Sequence, residues 1–300
     1  MTQPAPELTP SGPAYQGRLL PHPEEEVVDQ GLRFDVGTLL SRRGLLGVLG
    51  AGAGAFALVA CSTDGTASGS DASSTTATGS GGDLTEIPDE TAGPYPGDGS
   101  NGPDVLEETG IVRSDIRSSF GESTTTAAGV PLTFTLTVLD LAGGGAPYTG
   151  VAVYAWHCDQ QGRYSMYSSG VESENYLRGV QVTDDAGQVT FTSVFPACYS
   201  GRWPHIHFEV YPDVDAIDDS TNAIATSQLA FPQNACEAVY ATEGYEDSVG
   251  NLAQVSLSSD GVFGDDGGIH QIATMSGGVD AGYAAALTVP VDTTTEPAAG

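Results

Sequence analysis

Two of the chain's five histidines, His205 and His207, stand one residue apart in GRWPHIHFEV. On an extended strand alternate residues share a face, so both imidazoles project together while Ile206 and Phe208 face the other way. Paired neutral imidazoles with converging lone pairs suit a transition metal, although the spacing alone also occurs in surface pairs that hold nothing. Two tyrosines narrow the chemistry. Tyr164 in GRYSMY and Tyr199 in ACYS each follow a strand-like run. A phenol is a poor zinc ligand at neutral pH; as a phenolate it is a hard anionic oxygen matched to ferric iron, whose charge lowers the phenol's pKa. Two phenolates and two neutral imidazoles would give an Fe(III) centre of low net charge with room for a substrate. Taken singly, each tyrosine reads better as a half-buried aromatic plugging the end of a sandwich.

The elements that must position these side chains read as strands. PLTFTLTVLD (131–140) alternates, with Leu132, Phe134, Leu136 and Val138 on one face and threonines on the other. Further strands are expected over 151–157, 176–183, 187–194, 205–211 and 227–231. Turns fall at GGG (143–145), DDAG (184–187) and YPD (211–213). No amphipathic run of three helical turns and no internal repeat stands out. The fold expected is all-β, an antiparallel β-sandwich with irregular loops spanning 86–290, with 262–289 adding edge strands and 291–300 frayed.

Ahead of this domain, SRRGLLGVLGAGAGAFALVAC (41–61) sets two arginines before an apolar run that ends in LVAC. It resembles a twin-arginine export signal joined to a bacterial lipobox, which implies cleavage before Cys61 and lipid attachment to that sulfur. Residues 1–61 then form an extension and signal, and the Ser/Gly/Thr-rich residues 62–85 a flexible linker. The expected location is the outer face of the cytoplasmic membrane, with membrane contact only through the lipid. The formal charge is −30, the Lys+Arg total of 9 is all arginine, and four of those arginines precede residue 60. So acidic a domain repels phosphate backbones and anionic lipid heads, which excludes nucleic acid as a partner.

ETAGPYP (90–96), VAVYAWHCDQQGRYS, YLRGVQVTDDAGQVTFTSVFPACY, GRWPHIHFEV and TSQLAF follow one another in the order and character of the intradiol ring-cleavage dioxygenases, the family of catechol and protocatechuate dioxygenases. The resemblance covers roughly 90–231. It implies a β-sandwich holding non-haem Fe(III) through Tyr164, Tyr199, His205 and His207. It also implies a catalytic Arg202 that stabilises charge developing on the substrate, a catalytic Gln228 and a pocket-mouth Tyr95. Tyr199, displaced by a catechol, would act as general base, and O2 would cleave the ring to a cis,cis-muconate. One departure is clear: only Ser200 and Gly201 separate Tyr199 from Arg202, and Trp203 follows the arginine where the family usually carries a tryptophan before it. The pocket wall is therefore expected to differ.

With Cys61 assigned to lipid, Cys158, Cys198 and Cys236 remain, and a Cys198–Cys236 disulfide fixing the Tyr199 loop is the expected pairing. The helical dimerisation segment of the cytoplasmic catechol enzymes has no counterpart in 62–89, so a monomer or a dimer of unfamiliar geometry is expected. Two other readings stay open: a surface β-sandwich that binds aromatics or metal without turnover, and a zinc or copper site in which Cys158 or Cys198 joins the two histidines.

Overall fold

In PLTFTLTVLD the alternation is realised as β4 (Pro131–Asp140), whose Leu132, Phe134, Leu136 and Val138 are buried. The computed structural model describes residues 84–295, and near the N-terminus the backbone of three short antiparallel strands, β1 (Glu7–Thr9), β2 (Gly12–Tyr15) and β3 (Arg18–Leu19). The expected signal, Cys61 and nearly all of the 62–85 linker lie outside the described residues. Among the described residues no helix is long and apolar enough to cross a membrane.

Two sheets make the sandwich. One has the order β10 (Ala225–Ala230), β9 (His205–Tyr211), β6 (Ala152–Trp156), β7 (Arg178–Val182), all antiparallel. The other runs β11 (Thr274–Gly278), β12 (Gly282–Val291), β4, β5 (Ala146–Pro147), with β8 (Gln188–Val194) also paired to β4. The core between them is filled by Ile206, Phe208 and Val210 of β9, Val153 and Ala155 of β6, and the apolar faces of β4, β8 and β12. Burying these aliphatic and aromatic side chains is worth roughly 1.5–3 kcal/mol each and drives the two sheets together.

All seven residues of β9 are buried, so this strand is covered on both faces. Its second face carries His205, His207, Glu209 and Tyr211, beside Tyr154 and Trp156 of β6. Val105, Leu106 and Ile111, from the segment ahead of β4, close over that layer. The outer face of this sheet is thus an interior lined with polar and aromatic groups, a setting for chemistry rather than a solvated surface.

Three features differ from the sequence expectation. The C-terminal segment does not simply add an edge: β12 lies between β11 and β4 and runs parallel to β4, so the sandwich is not purely antiparallel. Order also passes residue 290, because Val291 is fully buried opposite Asp140 and its carbonyl accepts from the Leu141 N–H. The Cys198–Cys236 disulfide is not formed. Both are buried free thiols, Cys198 donating to the Arg202 carbonyl at 3.4 Å and Cys236 facing the Phe231 carbonyl at 4.0 Å. Burial pushes the Cys198 thiol up to about 12 and Cys236 well above its usual range, leaving almost no thiolate to start exchange. Two helices of about two turns, α1 (Gln233–Tyr240) and α2 (Glu246–Leu252), follow β10; α1 turns Ala235, Cys236, Val239 and Tyr240 into the core.

Candidate metal centre

His205 and His207 leave β9 on one face, and two loops bring tyrosines to meet them. The loop after β6 turns at Gly162 (φ +80°) and carries Tyr164; the loop after β8 carries Tyr199. The Tyr164 hydroxyl lies 3.4 Å from the Tyr199 hydroxyl and 3.4 Å from His205 Nε2. The Tyr199 hydroxyl is 3.2 Å from the same nitrogen, and the two Nε2 atoms are 3.0 Å apart. All four expected donors therefore converge. Tyr164, His205 and His207 are buried, whereas Tyr199 is only half-buried and marks the open side.

The donor set fits a first-row cation on the structure's own terms. His205 Nδ1 faces the Trp203 carbonyl at 2.5 Å, and a carbonyl only accepts, so the proton sits on Nδ1 and Nε2 keeps its lone pair toward the tyrosines and His207. Two imidazole nitrogens at 3.0 Å need a proton or a cation between them. His207 Nδ1 is buried without a partner among the described residues. Donors at bonds of about 2.1 Å from one centre lie about 3.4 Å apart in a tetrahedral arrangement, close to the spacings found. Among the described residues no three His, Cys, Asp or Glu side chains converge, and the Cys158 and Cys198 thiols face the Ala197 and Arg202 carbonyls, so a thiolate–imidazole centre has no geometric support.

Burial dominates the electrostatics. It holds both imidazoles neutral, well below their usual range, with the Arg202 charge acting on each in the same direction. Desolvation raises the Tyr164 phenol well above 10 and the Tyr199 phenol to about 12, the latter despite the opposing pull of Arg202. With no cation the four donors are neutral. A trivalent ion reverses the balance for the phenols, because its charge stabilises phenolate.

Arg202 reaches the site by a tight turn. Its N–H donates to the Tyr199 carbonyl, and Gly201 between them takes φ +82°, so the two-residue connection suffices. Its guanidinium is clamped: Nε donates to Asp260 Oδ2 at 3.0 Å, Nη2 to Gln228 Oε1 at 2.5 Å, and Nη1 lies 3.5 Å from His205 Nε2. Gln228, opposite His207 in the β9–β10 register, in turn donates to the Thr91 carbonyl. Trp203 does not line the site. It is buried with Ala230 and Phe263, and its indole N–H donates to the Phe231 carbonyl.

The ETAGPYP segment lies against the tyrosine–histidine cluster. A Cβ on Gly93 (φ +76°) would come 3.3 Å from His207 Cε1, and the Tyr95 ring packs 5.0 Å from Tyr164 and 5.2 Å from Tyr167. Three supports have no signal in the sequence. Asp260, in a loop rich in acidic residues and glycine, is fully buried and accepts from four donors. Trp156 stacks on His207 at 4.9 Å with 8° between the rings. Arg178 is buried and donates to the carbonyls of Tyr95, Pro96 and Ser165, tying the covering segment to the Tyr164 loop. A surface groove lined by Pro131, Thr133, Thr192, Ser276 and Tyr283 lies on the β4–β8–β12 sheet and holds none of the donors.

A sequence model of the dioxygenase family matches residues 101–216, a span that contains Tyr164, Tyr199, Arg202, His205 and His207. Among solved structures, an intradiol ring-cleavage dioxygenase from Tetranychus urticae superposes with a TM-score of 0.57 at 24% identity, over 71% of this chain and 97% of its own. The chain shares the fold of an intradiol ring-cleavage dioxygenase. The dioxygenase domain of a carbohydrate-binding fusion protein from Streptomyces sp. SirexAA-E is 23% identical over 69% of this chain and 99% of its own, with a TM-score of 0.42. Catechol 1,2-dioxygenase from Pseudomonas arvilla C-1 is 20% identical over 64% and 60%, with a TM-score of 0.41. No curated protein matches the sequence.

Proposed function

We propose that this protein is an intradiol ring-cleavage dioxygenase that binds non-haem Fe(III) through Tyr164, Tyr199, His205 and His207 and uses O2 to cleave a catechol-type aromatic to a cis,cis-muconate, both oxygen atoms entering the product. The observation that carries the reading is the convergence of two phenols and two neutral imidazoles within 3.0–3.4 Å contacts in a buried pocket without a carboxylate among the donors. Bound there, ferric iron supplies a Lewis-acidic, one-electron-accepting centre at which a catechol becomes reactive toward O2.

The chain's own groups divide the remaining work. Tyr199 stands on the half-exposed side, where an entering catechol meets it first, and its phenolate oxygen takes a substrate proton as general base. Tyr164 is held from the other side, its backbone N–H bonded to the Ser168 hydroxyl. Arg202 Nη1 points into the site while Asp260 and Gln228 fix the rest of the guanidinium. Its cation is therefore preorganised for negative charge that builds on the ring only during reaction. Tyr95 and Tyr164 offer aromatic faces to the substrate ring.

The test is the visible absorption spectrum and iron content of the purified protein, before and after anaerobic catechol. A tyrosinate-to-iron band that shifts on adding catechol supports the reading; a protein that stays colourless after ferric loading sinks it. We further propose export by the twin-arginine route and lipid anchoring through Cys61 at the outer face of the cytoplasmic membrane, on the strength of SRRGLLGVLGAGAGAFALVAC. Replacing Cys61 with serine is expected to release the protein from the membrane fraction, and unchanged membrane retention would refute the anchor.

A further inference from the structure

The two imidazoles of the candidate centre are held in different ways. His205 Nδ1 is anchored on the Trp203 carbonyl at 2.5 Å. His207 has no such anchor: its Nδ1 is buried and has no hydrogen-bond partner among the described residues. An imidazole that binds a metal almost always passes its other ring N–H to a carboxylate, a carbonyl or water, and losing that contact typically costs about ten- to a hundredfold in metal affinity. Something else must fix the plane of the His207 ring.

Trp156 is placed to do so. It stands directly opposite His207 in the β6–β9 register, and the two rings are nearly parallel, tilted by 8° with centroids 4.9 Å apart. Trp156 is fully buried and its own indole N–H is unpartnered among the described residues, so packing alone keeps it in place. Tyr154, two residues earlier on the same face of β6, stacks on Trp156 at 4.8 Å and 20°. The Tyr154 hydroxyl is fastened in turn, donating to the Pro96 carbonyl at 2.6 Å and accepting from Arg178 Nη1 at 2.9 Å. A column of three rings thus runs from a buried arginine to His207. The Gly93 backbone lies against His207 Cε1, and the Tyr164 ring stands edge-on at 6.1 Å, so the imidazole is bounded elsewhere as well.

We infer that Trp156 is the positioning residue of His207, fixing the plane of that imidazole by stacking where His205 is fixed by a hydrogen bond. The inference rests on the iron-binding reading above. It makes the two imidazoles unequal. His205, with its Nδ1–H bonded to a carbonyl, is the more basic donor; His207, whose Nδ1–H has no acceptor, is the weaker one and the first to let go when the stack is disturbed.

Iron affinity by chelator competition, the visible spectrum and thermal unfolding are measured for Trp156→Leu, Trp156→Met and Trp156→Phe, with Phe191→Leu as the control. Phe191 stacks on Phe134 at 5.0 Å and 20° in the core between the sheets. Trp156→Leu and Trp156→Met are expected to bind iron about ten- to a hundredfold more weakly, with the visible band displaced. Trp156→Phe, which keeps a flat face, should recover most of that loss. Phe191→Leu should lower the melting temperature while keeping the parent's iron affinity and band. Trp156 variants that lose stability only, as Phe191→Leu does, overturn the inference and leave the iron reading standing. The unmutated protein gives a second test, independent of how the variants fold. Loaded with Ga(III), a diamagnetic stand-in for Fe(III), it should show the His205 Nδ1–H far downfield by NMR and the His207 Nδ1–H well upfield of it, over the indole face. Two equally downfield signals would reveal an acceptor at His207 and overturn the inference. If the parent takes up neither Fe(III) nor Ga(III), the iron-binding reading falls and the inference with it.

Discussion

Asp260→Ala probes how Arg202 is held. The Asp260 carboxylate is buried and accepts from Arg202 Nε at 3.0 Å, the Trp203 N–H at 2.6 Å, the Val262 N–H at 2.8 Å and the Phe263 N–H at 3.1 Å. Removing it strands a buried guanidinium and three backbone donors. Breaking a buried pair from one side costs about 3–5 kcal/mol, a large share of the roughly 5–15 kcal/mol that holds a domain together. For a domain of this size each kcal/mol moves the midpoint by about 2–4 °C, so the melting temperature should fall by about 6–20 °C. Thermal unfolding followed by near-ultraviolet circular dichroism reads this directly. Asp260→Asn separates position from stability: its amide still accepts through one oxygen, while its NH2 must face donors. A purely structural role would leave the kinetics of the folded fraction untouched. A positioning role should lower kcat by about ten- to a hundredfold with a smaller change in KM, because the misplaced cation acts mainly after substrate has bound. A melting temperature for Asp260→Ala within 2 °C of the parent would show that the carboxylate is not the clamp described.

Further changes test other parts of the site and fold. His205→Ala and His207→Ala should each abolish iron retention, read by metal analysis and loss of the visible band. Tyr199→Phe should retain iron through the other three donors, yet lose about 10²–10⁴ in kcat, with the band altered rather than absent. Gly93→Ala places a Cβ 3.3 Å from His207 at φ +76° and should cost about 1–2 kcal/mol along with weaker iron binding, measured by melting and by competition with a chelator. His157 is buried between the Cys158 carbonyl and the Ser193 hydroxyl, and burial lowers its pKa to about 4. Its unfolded form, near 6.5, binds a proton first. The stability it contributes is therefore complete above about pH 6.5 and is lost as the pH falls toward 4, by roughly 3 kcal/mol in all. Comparing denaturant unfolding of the parent and His157→Gln from pH 7 to 4 isolates that slope, and parallel curves would refute it.

The strands of the sandwich around the candidate donors were legible because their side chains alternate. PLTFTLTVLD and HIHFEVY match β4 and β9 residue for residue, and the two-residue period alone set both imidazoles on one side. The tyrosines were legible only through the motif strings around them, since no local rule brings Tyr164 and Tyr199 together across 35 positions of chain. What stayed hidden depended on distant partners. GYAAALTVPV is rich in small residues, and its place beside β4 is settled by a parallel register with residues about 150 positions earlier. Asp260 is one acidic residue among 39 Asp and Glu, and nothing local distinguishes the one that is buried. The cysteine pairing failed for a related reason: an odd set of thiols suggests a bridge by compartment chemistry, whereas the core simply packs Cys198 and Cys236 as small apolar groups.

The start and finish of the described domain are fastened to each other. The Ile87 N–H donates to the Pro290 carbonyl, the Asp292 N–H to Glu86, and a few residues further on the same strand of chain passes over His207 at Gly93. The chain at residue 84 therefore enters the domain alongside its exit and continues directly into the cover of His207. A protease nick before this clasp would leave the chemistry whole. One placed shortly after it would lift a wall from the site and loosen the last strand together, so a harmless cut and a disabling one lie only a few residues apart.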